Sequence, residues 1–327
     1  MQPVLSVIIA CLDAAETLGT QLDALARQSG PVPWEVIVAD NGSTDGSLDI
    51  ARAYHGRLPG LRIVDASTQP GAGPARNLGV QAARGRWIAF CDADDEVAPD
   101  WIAALCRALE RHRFVAGRFE QDRLNDARVL RSRSLPQHEG LQTSPGGPGL
   151  PHAGGGNLGM HREDFLRVGG FDPAVRWLED TDLSWRAQLA GVPLAFCPDV
   201  VVHVRLRRTF RSMFLQGMHY GFAQAVLEER YGGAAPAAVP AAVPGAVPGA
   251  VAGGVPGGVP GAVVPGTGVG VAARMGDWFV DHLVGGRLFW RLGWVVGHRR
   301  RRRAARRPPS GADAAPPSGA DAWSHAA

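Results

Sequence analysis

The sequence of 327 residues has no lysine: all 34 of its basic residues are arginine. Seven of them fall between Arg299 and Arg307, so the formal charge of +3 becomes −4 once that stretch is set aside. A mildly acidic body with one basic stretch argues against a nucleic-acid-binding core and for a local electrostatic anchor. Cysteine is also scarce. The four present, Cys11, Cys91, Cys106 and Cys197, lack the paired spacing of a zinc site. Three of them end apolar, strand-like runs and read as buried thiols of a reducing compartment. No basic segment followed by a small-residue cleavage site precedes the first strand pattern, so no secretory signal is read and the catalytic part is expected in the cytoplasm. A long charge-free run rich in Leu, Ile, Phe and Trp is missing too. The richest stretch, Met275 to Gly297, is interrupted by Asp277, Asp281, Arg287 and Arg291, a charge density that disfavours a membrane-spanning helix.

What the chain does have is an apolar fraction of 45%, enough for a sizeable core. From Val4 to about Glu110, short β-branched runs (VLSVIIAC, EVIVA, LRIVD, WIAFC) alternate with helical patterns. One of these helices carries Leu18, Leu22 and Leu25 on one face, one is opened by Ser43-Thr44-Asp45, one starts near Pro74, and one carries Trp101, Leu105 and Leu109. This βαβαβα order predicts an α/β fold with a parallel sheet covered on both faces. Further on, the sequence predicts a strand at Phe114 to Glu120, a Gly/Pro-rich loop at Ser144 to Gly156, a helix from Glu179 to Ala190 stopped by Gly191, and two apolar runs, PLAFC and VVVHV. The loop is long enough to serve as a lid or an acceptor surface. The resulting division is a catalytic domain at 1–231, a flexible Ala/Val/Pro/Gly-rich linker at 232–270, an aromatic amphipathic segment with the arginine run at 271–307, and a disordered tail at 308–327. Aromatics beside an arginine run suit a segment lying on an anionic membrane; the alternative is a helix packed on the catalytic domain.

In such sheets ligands bind beyond the carboxyl ends of the strands. The residues placed there are Leu12-Asp13, Asp40-Asn41 and Asp92 to Asp95. FCDADDE brings Asp92, Asp94, Asp95 and Glu96 together at one strand end. Clustered carboxylates repel unless a cation compensates them, and an Asp-x-Asp pair suits a hard divalent ion whose other ligands are substrate phosphates. An acidic turn capping the next helix is the structural alternative. In VADNGSTD, Asp40 is placed to accept a hydrogen bond from a nucleobase or ribose, whereas Ser43 to Asp45 are covered by a helix cap. GPARNLG is a Gly-rich turn into a helix whose Arg76 can hold a ribose or diphosphate. WLEDTDLSWRA puts Glu179, Asp180 and Asp182 in one first turn, more acids than a cap needs, so one is free to take a proton from an acceptor hydroxyl. His203 ends VVVHV; a lone strand histidine is more often structural than a ligand.

In this order the elements resemble the family 2 inverting glycosyltransferases of the GT-A fold, over about Val4 to Gly221. SVIIACLD departs mildly from the family's S-V-I-I-P opening, and Asn41 replaces the second acid of its Asp-Asp pair. The resemblance implies a Rossmann-like, mixed, mostly parallel sheet flanked by helices, and a sugar donor on a nucleoside diphosphate, UDP favoured. It places Asp13, Asp40, Asn41, Arg76 and Asp92 at the donor. Asp94 and His203 go to a divalent metal, Mn or Mg, with Mn favoured if the imidazole reaches it. Asp180 becomes the base, with Glu179 beside it, and the acceptor is a hydroxyl. A sugar-phosphate nucleotidyltransferase would need a Gly-rich basic loop after the first strand, where this chain has ACLDAAE. A membrane-tethered, non-catalytic nucleotide-sugar binder is opposed by the retention of Asp94 and Asp180. The arginine run has neither an aromatic platform within it nor a nucleic-acid-binding fold beside it, so no nucleic-acid partner is expected.

Overall fold

The computed structural model describes residues 2–132, 136–144, 146–232 and 287–305. Residues 233–270 of the linker expected at 232–270, the start of the aromatic segment, Arg306, Arg307 and the tail lie outside the described residues. The first half runs β1 (Leu5–Cys11), α1 (Leu18–Ala26), β2 (Trp34–Asp40), α2 (Ser47–Ala53), β3 (Arg62–Asp65), α3 (Ala72–Ala82), β4 (Trp87–Asp92), β5 (Glu96–Val97) and α4 (Trp101–Arg111). The second half is β6 (Phe114–Glu120), α5 (Ala127–Ser132), β7 (Asn157–His161), α6 (Arg162–Arg167), α7 (Glu179–Leu189), β8 (Leu194–His203), α8 (Phe210–Tyr231) and α9 (Arg287–Ala304).

The strands form one eight-stranded sheet in the order β3-β2-β1-β4-β7-β6-β8-β5. β3, β2, β1 and β4 are parallel, as the alternating pattern predicts, but β7 runs antiparallel to both β4 and β6. The sheet is therefore mixed. Period-two alternation assigns each side chain of the central strands to one of two core layers. Leu5, Val7, Ile9 and Cys11 of β1 join Val36 and Val38 of β2 and Trp87, Ala89 and Cys91 of β4 on one face. Ile8, Ile37, Ile88 and Phe90 point to the other, where they meet Val80 and Phe171. Strands buried on both faces read as near-continuous apolar runs, which is why β1 and β4 were legible. The cysteines are all unpaired, and three are buried.

Two local expectations need correction. Ser43-Thr44-Asp45 does not open a helix: α2 begins at Ser47 after Gly46. The side chains of that stretch instead tie down the loop after β1, with Ser43 Oγ accepting from the Asp13 N–H (3.1 Å) and Asp45 Oδ2 from the Ala15 N–H (2.8 Å). PLAFC and VVVHV are not two strands but the two halves of β8. They are separated by exposed Pro198 and Asp199, where the register against β6 shifts between Gly117 and Arg118.

α7 ends where predicted, with Gly191 at φ +82°. Asp182 in its first turn is fully buried and binds Arg186 Nε (2.7 Å), Arg230 Nη1 (2.8 Å) and Tyr231 Oη (2.7 Å). One of the three acids is thus structural, fastening the end of α8 to α7.

Candidate active site

The carboxyl ends of β1, β2 and β4 open on a cleft of about 140 Å³, whose polar lining includes Asn41, Arg76, Asp92, Asp94 and Arg207. Asp92 ends β4, and Asp94 and Asp95 follow in the turn before β5. One oxygen from each of Asp92, Asp94 and Asp95 lies within 4.8 Å of the others. Burial, with Asp92 alongside, pushes the Asp94 carboxyl up to about 6 despite the opposing pull of Arg207. Burial together with Asp94 and Asp92 holds Asp95 well above the carboxylate range. These groups have more negative charge than their surroundings compensate, and an all-oxygen donor set of this kind fits a hard divalent cation.

Arg76 joins this cluster to the second acidic motif. Its Nη2 donates to Asp92 Oδ1 (2.6 Å) and its Nη1 to Glu179 Oε1 (2.9 Å), and the guanidinium lies 5.5 Å from the Phe171 ring centroid. Burial opposes its charge, but Asp92 and Glu179 outweigh that and hold it above the ordinary arginine range. Burial and Asp180 push Glu179 up to about 7 against Arg76. Asp180 accepts from the Gly155 N–H (2.7 Å) through Oδ2 and from the Thr181 N–H (2.7 Å) through Oδ1. Burial raises its pKa in spite of these donors, which makes it a stronger base than a surface aspartate.

The segment Ser144 to Gly156, expected as a lid or an acceptor surface, contacts the site at its C-terminal end. Gly155 holds Asp180, and Gly154 N–H donates to Gln137 Oε1 (2.7 Å). His152, 6% exposed, stands between Ser144 Oγ (2.8 Å) and Thr181 Oγ1 (3.2 Å). Gly155 and Gly156 approach the site closely: a Cβ would lie 3.0 Å from Arg76 Nη1 at the first and 2.6 Å from Asp92 Oδ2 at the second.

Several expected residues also make bonds within the protein. Asp13, at φ 45°, accepts from Thr44 N–H (2.7 Å) and pins two loops together, while its neighbours Leu12 and Ala14 line the cleft. Asp40, 6% exposed, accepts from the backbone N–H groups of Gly42 and Ser43 (3.3 Å each). Asn41 reaches the cleft, but its amide is engaged by Ala66 O (2.5 Å), Gln69 O (2.9 Å) and the Gly71 N–H (2.8 Å).

His203 is not part of the Asp92, Asp94 and Asp95 group. Its register partners are Glu96 and Glu120, and its Nδ1 lies 3.5 Å from Glu120 Oε2. The chain just beyond it supplies arginines instead. Arg205 donates its backbone N–H to Asp95 Oδ1 (2.8 Å) and its Nε to Asp94 O (3.1 Å), and Arg207 Nη1 lies 3.9 Å from Asp94 Oδ2. Sequence reasoning missed Arg207; the signal was the run RLRR following VVVHV.

A cleft at the carboxyl ends of β1, β2 and β4, with an acidic cluster on its wall that Arg76 joins to the Glu179-Asp180 pair, defines the candidate site of this mixed α/β sheet. The chain belongs to glycosyl transferase family 2, whose model matches residues 6–169. Over 101 residues it is 40% identical to an uncharacterized glycosyltransferase, YibD, of Escherichia coli, covering 31% of this chain and 29% of the relative. Over 133 residues it is 35% identical to the succinoglycan biosynthesis protein ExoO of Rhizobium meliloti, covering 41% and 36%. The aligned stretches thus span about a third of these relatives' own length.

Among solved structures, the mannosyltransferase PcManGT from Pyrobaculum calidifontis, in complex with GDP-Man and Mn2+, superimposes with a TM-score of 0.54 at 24% identity, covering 72% of this chain and 67% of that one. S. aureus TarS 1-349 in complex with UDP gives 0.51 at 18% identity, covering 70% and 71%. The fold is GT-A.

Proposed function

We propose that this protein is an inverting glycosyltransferase that moves a sugar from a nucleoside diphosphate donor, UDP favoured, to a hydroxyl acceptor in glycan biosynthesis, with Mn or Mg bound by Asp92 and Asp94. The observation that carries this reading is the Arg76 bridge, which ties the cluster suited to a metal and diphosphate (Asp92) to the motif suited to proton removal (Glu179, next to Asp180). A bound divalent ion would supply neutralisation of the charge that builds up on the departing diphosphate. The protein's own groups do the rest. Arg207, on the cleft wall, offers a guanidinium to the diphosphate. Arg76 keeps Asp92 and Glu179 apart and oriented. Asp180, held by Gly155 and Thr181, takes the proton of the acceptor hydroxyl as its oxygen attacks the anomeric carbon from the face opposite the leaving group. One displacement inverts the configuration. That GDP-Man and UDP are bound by fold relatives supports a nucleotide-linked donor here.

The test is a panel of nucleotide sugars with purified protein and Mn or Mg, reading released nucleoside diphosphate. A metal-dependent signal on one donor that disappears in Asp94→Ala names the donor. Release unaffected by chelator and by Asp94→Ala would refute the metal-dependent reading.

A further inference from the structure

We propose that the outward face of α9 is a docking surface for an anionic lipid bilayer, on which the helix lies flat. This holds independently of the transfer reaction, because none of the residues involved belongs to the cleft.

α9 is seated on α8 through glycines from both helices. A methyl group on Gly217 would fall 2.0 Å from Trp290 O, and one on Gly221 2.0 Å from Trp294 O; Gly293 and Gly297 meet Phe214 O and Met218 O as closely. Contacts that advance together along both helices mean that they run parallel. Glu228 and Glu229 of α8 engage His298 (3.0 Å), Arg302 (3.0 Å) and Arg301 (2.7 Å). These contacts occupy one side of α9 and part of its arginine run.

The other side faces out. Leu288, Leu292 and Val295 are 41%, 52% and 37% exposed, and Arg291, Arg299 and Arg303 are exposed with them. At 3.6 residues per turn, spacings of four, three and four residues put Leu288, Leu292, Val295 and Arg299 in a single stripe, flanked by Arg291 and Arg303. α9 contains no acidic residue. A soluble helix would carry mixed charge on this face; an apolar stripe running into unopposed arginines matches acyl chains beside anionic headgroups. No helix among the described residues is long and apolar enough to cross a membrane, so the helix lies on the surface. The orientation has a consequence for the cleft. Phe210, which opens α8 three residues after Arg207 of the cleft wall, stacks on Phe289 at 4.6 Å. Three residues span at most about 11 Å, so the apolar end of the stripe lies beside the cleft.

The full-length protein is to be sedimented with vesicles of phosphatidylcholine containing 30 mol% phosphatidylglycerol, or of phosphatidylcholine alone (a composition on the order of that which gives a surface potential). Three proteins are compared: wild type, Arg299→Gln/Arg303→Gln and Leu288→Ser/Leu292→Ser, with helicity by circular dichroism as the folding control. Binding is expected on anionic vesicles only. It should weaken by about fivefold for each arginine removed and by about tenfold for each leucine. No binding to anionic vesicles overturns the proposal. Undiminished binding by the leucine variant, together with full competition by duplex DNA, overturns it in favour of simple polyanion binding. If a variant misfolds, a bimane fluorophore on Val295→Cys in a Cys197→Ser background decides: brominated acyl chains quench it if the face is inserted, and unquenched fluorescence on bound protein refutes insertion.

Discussion

The backbone N–H of Gly155 donates to Asp180 Oδ2 at 2.7 Å. The next residue, Gly156, packs against Asp92 so closely that a Cβ there would lie 2.6 Å from its Oδ2. One dipeptide without side chains therefore spaces the acid proposed as base from the acid proposed at the metal, and Arg76 repeats the link in side chains.

If Asp180 is the base, Asp180→Asn should lower transfer by about 100- to 10,000-fold while leaving donor affinity within a few-fold of wild type. Single-turnover kinetics on the donor found by screening, with calorimetry for binding, separates the two quantities. Equal losses in both would point to a positioning role only.

Metal uptake should be coupled to proton release. Without metal, the Asp94 carboxyl is pushed up to about 6 by burial and Asp92, so below that pH it is protonated and must lose its proton to bind a cation. The apparent Mn affinity is expected to fall by up to about tenfold per pH unit below 6 and to level off above 7. Titration calorimetry in buffers of different ionisation enthalpy measures the proton count directly; a count of zero at pH 5.5 would contradict the assignment.

Asp182 is expected to matter for stability and not for chemistry. Removing it strands Arg186 and Arg230 beside a buried site, and Asp182→Ala should cost about 3–5 kcal/mol, read as a drop on the order of 10 °C in Tm. A Tm within 2 °C of wild type would be incompatible with the anchoring role drawn for it (about 1 kcal/mol at most for a chain of this size).

His152 gives the fold an acid limb of its own. Burial lowers its pKa to about 4, below the ordinary 6.5. Between those values the unfolded chain takes up a proton that the folded one refuses, so stability falls as pH drops from 6.5 to 4, by about 3 kcal/mol in all. Asp94, Asp95, Glu179 and Asp180, whose pKa values are raised, act in the opposite sense. The comparison must therefore be between wild type and His152→Gln, by urea unfolding at pH 7 and pH 4.5. The wild type should lose more stability than the variant, and identical losses would remove His152 from the account.

Much was legible in order along the chain. Short, near-continuous apolar runs predicted β1, β2, β4 and β6, because central strands bury both faces, and the acids at their ends marked the cleft. The amphipathic spacing of Leu18, Leu22 and Leu25, and of Trp101, Leu105 and Leu109, foretold α1 and α4, whose named residues are all buried. The antiparallel insertion of β7 was not legible, since strand direction depends on which neighbour the chain meets after a long loop and not on the residues of the strand.

The sequence by itself determined the composition of the site: which acids stand at strand ends, that Glu179 and Asp180 open a helix, and that the basic charge gathers beyond residue 298. Only the tertiary structure decided how those groups are used. Asp13 and Asn41 bond to neighbouring loops, Asp182 fastens α8 to α7, His203 lies beside Glu120, and Arg207 lies beside Asp94. The reason is physical. A side chain's type limits the bonds it can make, but which bond it makes depends on the donors and acceptors that residues 30 to 113 positions away bring within 4 Å.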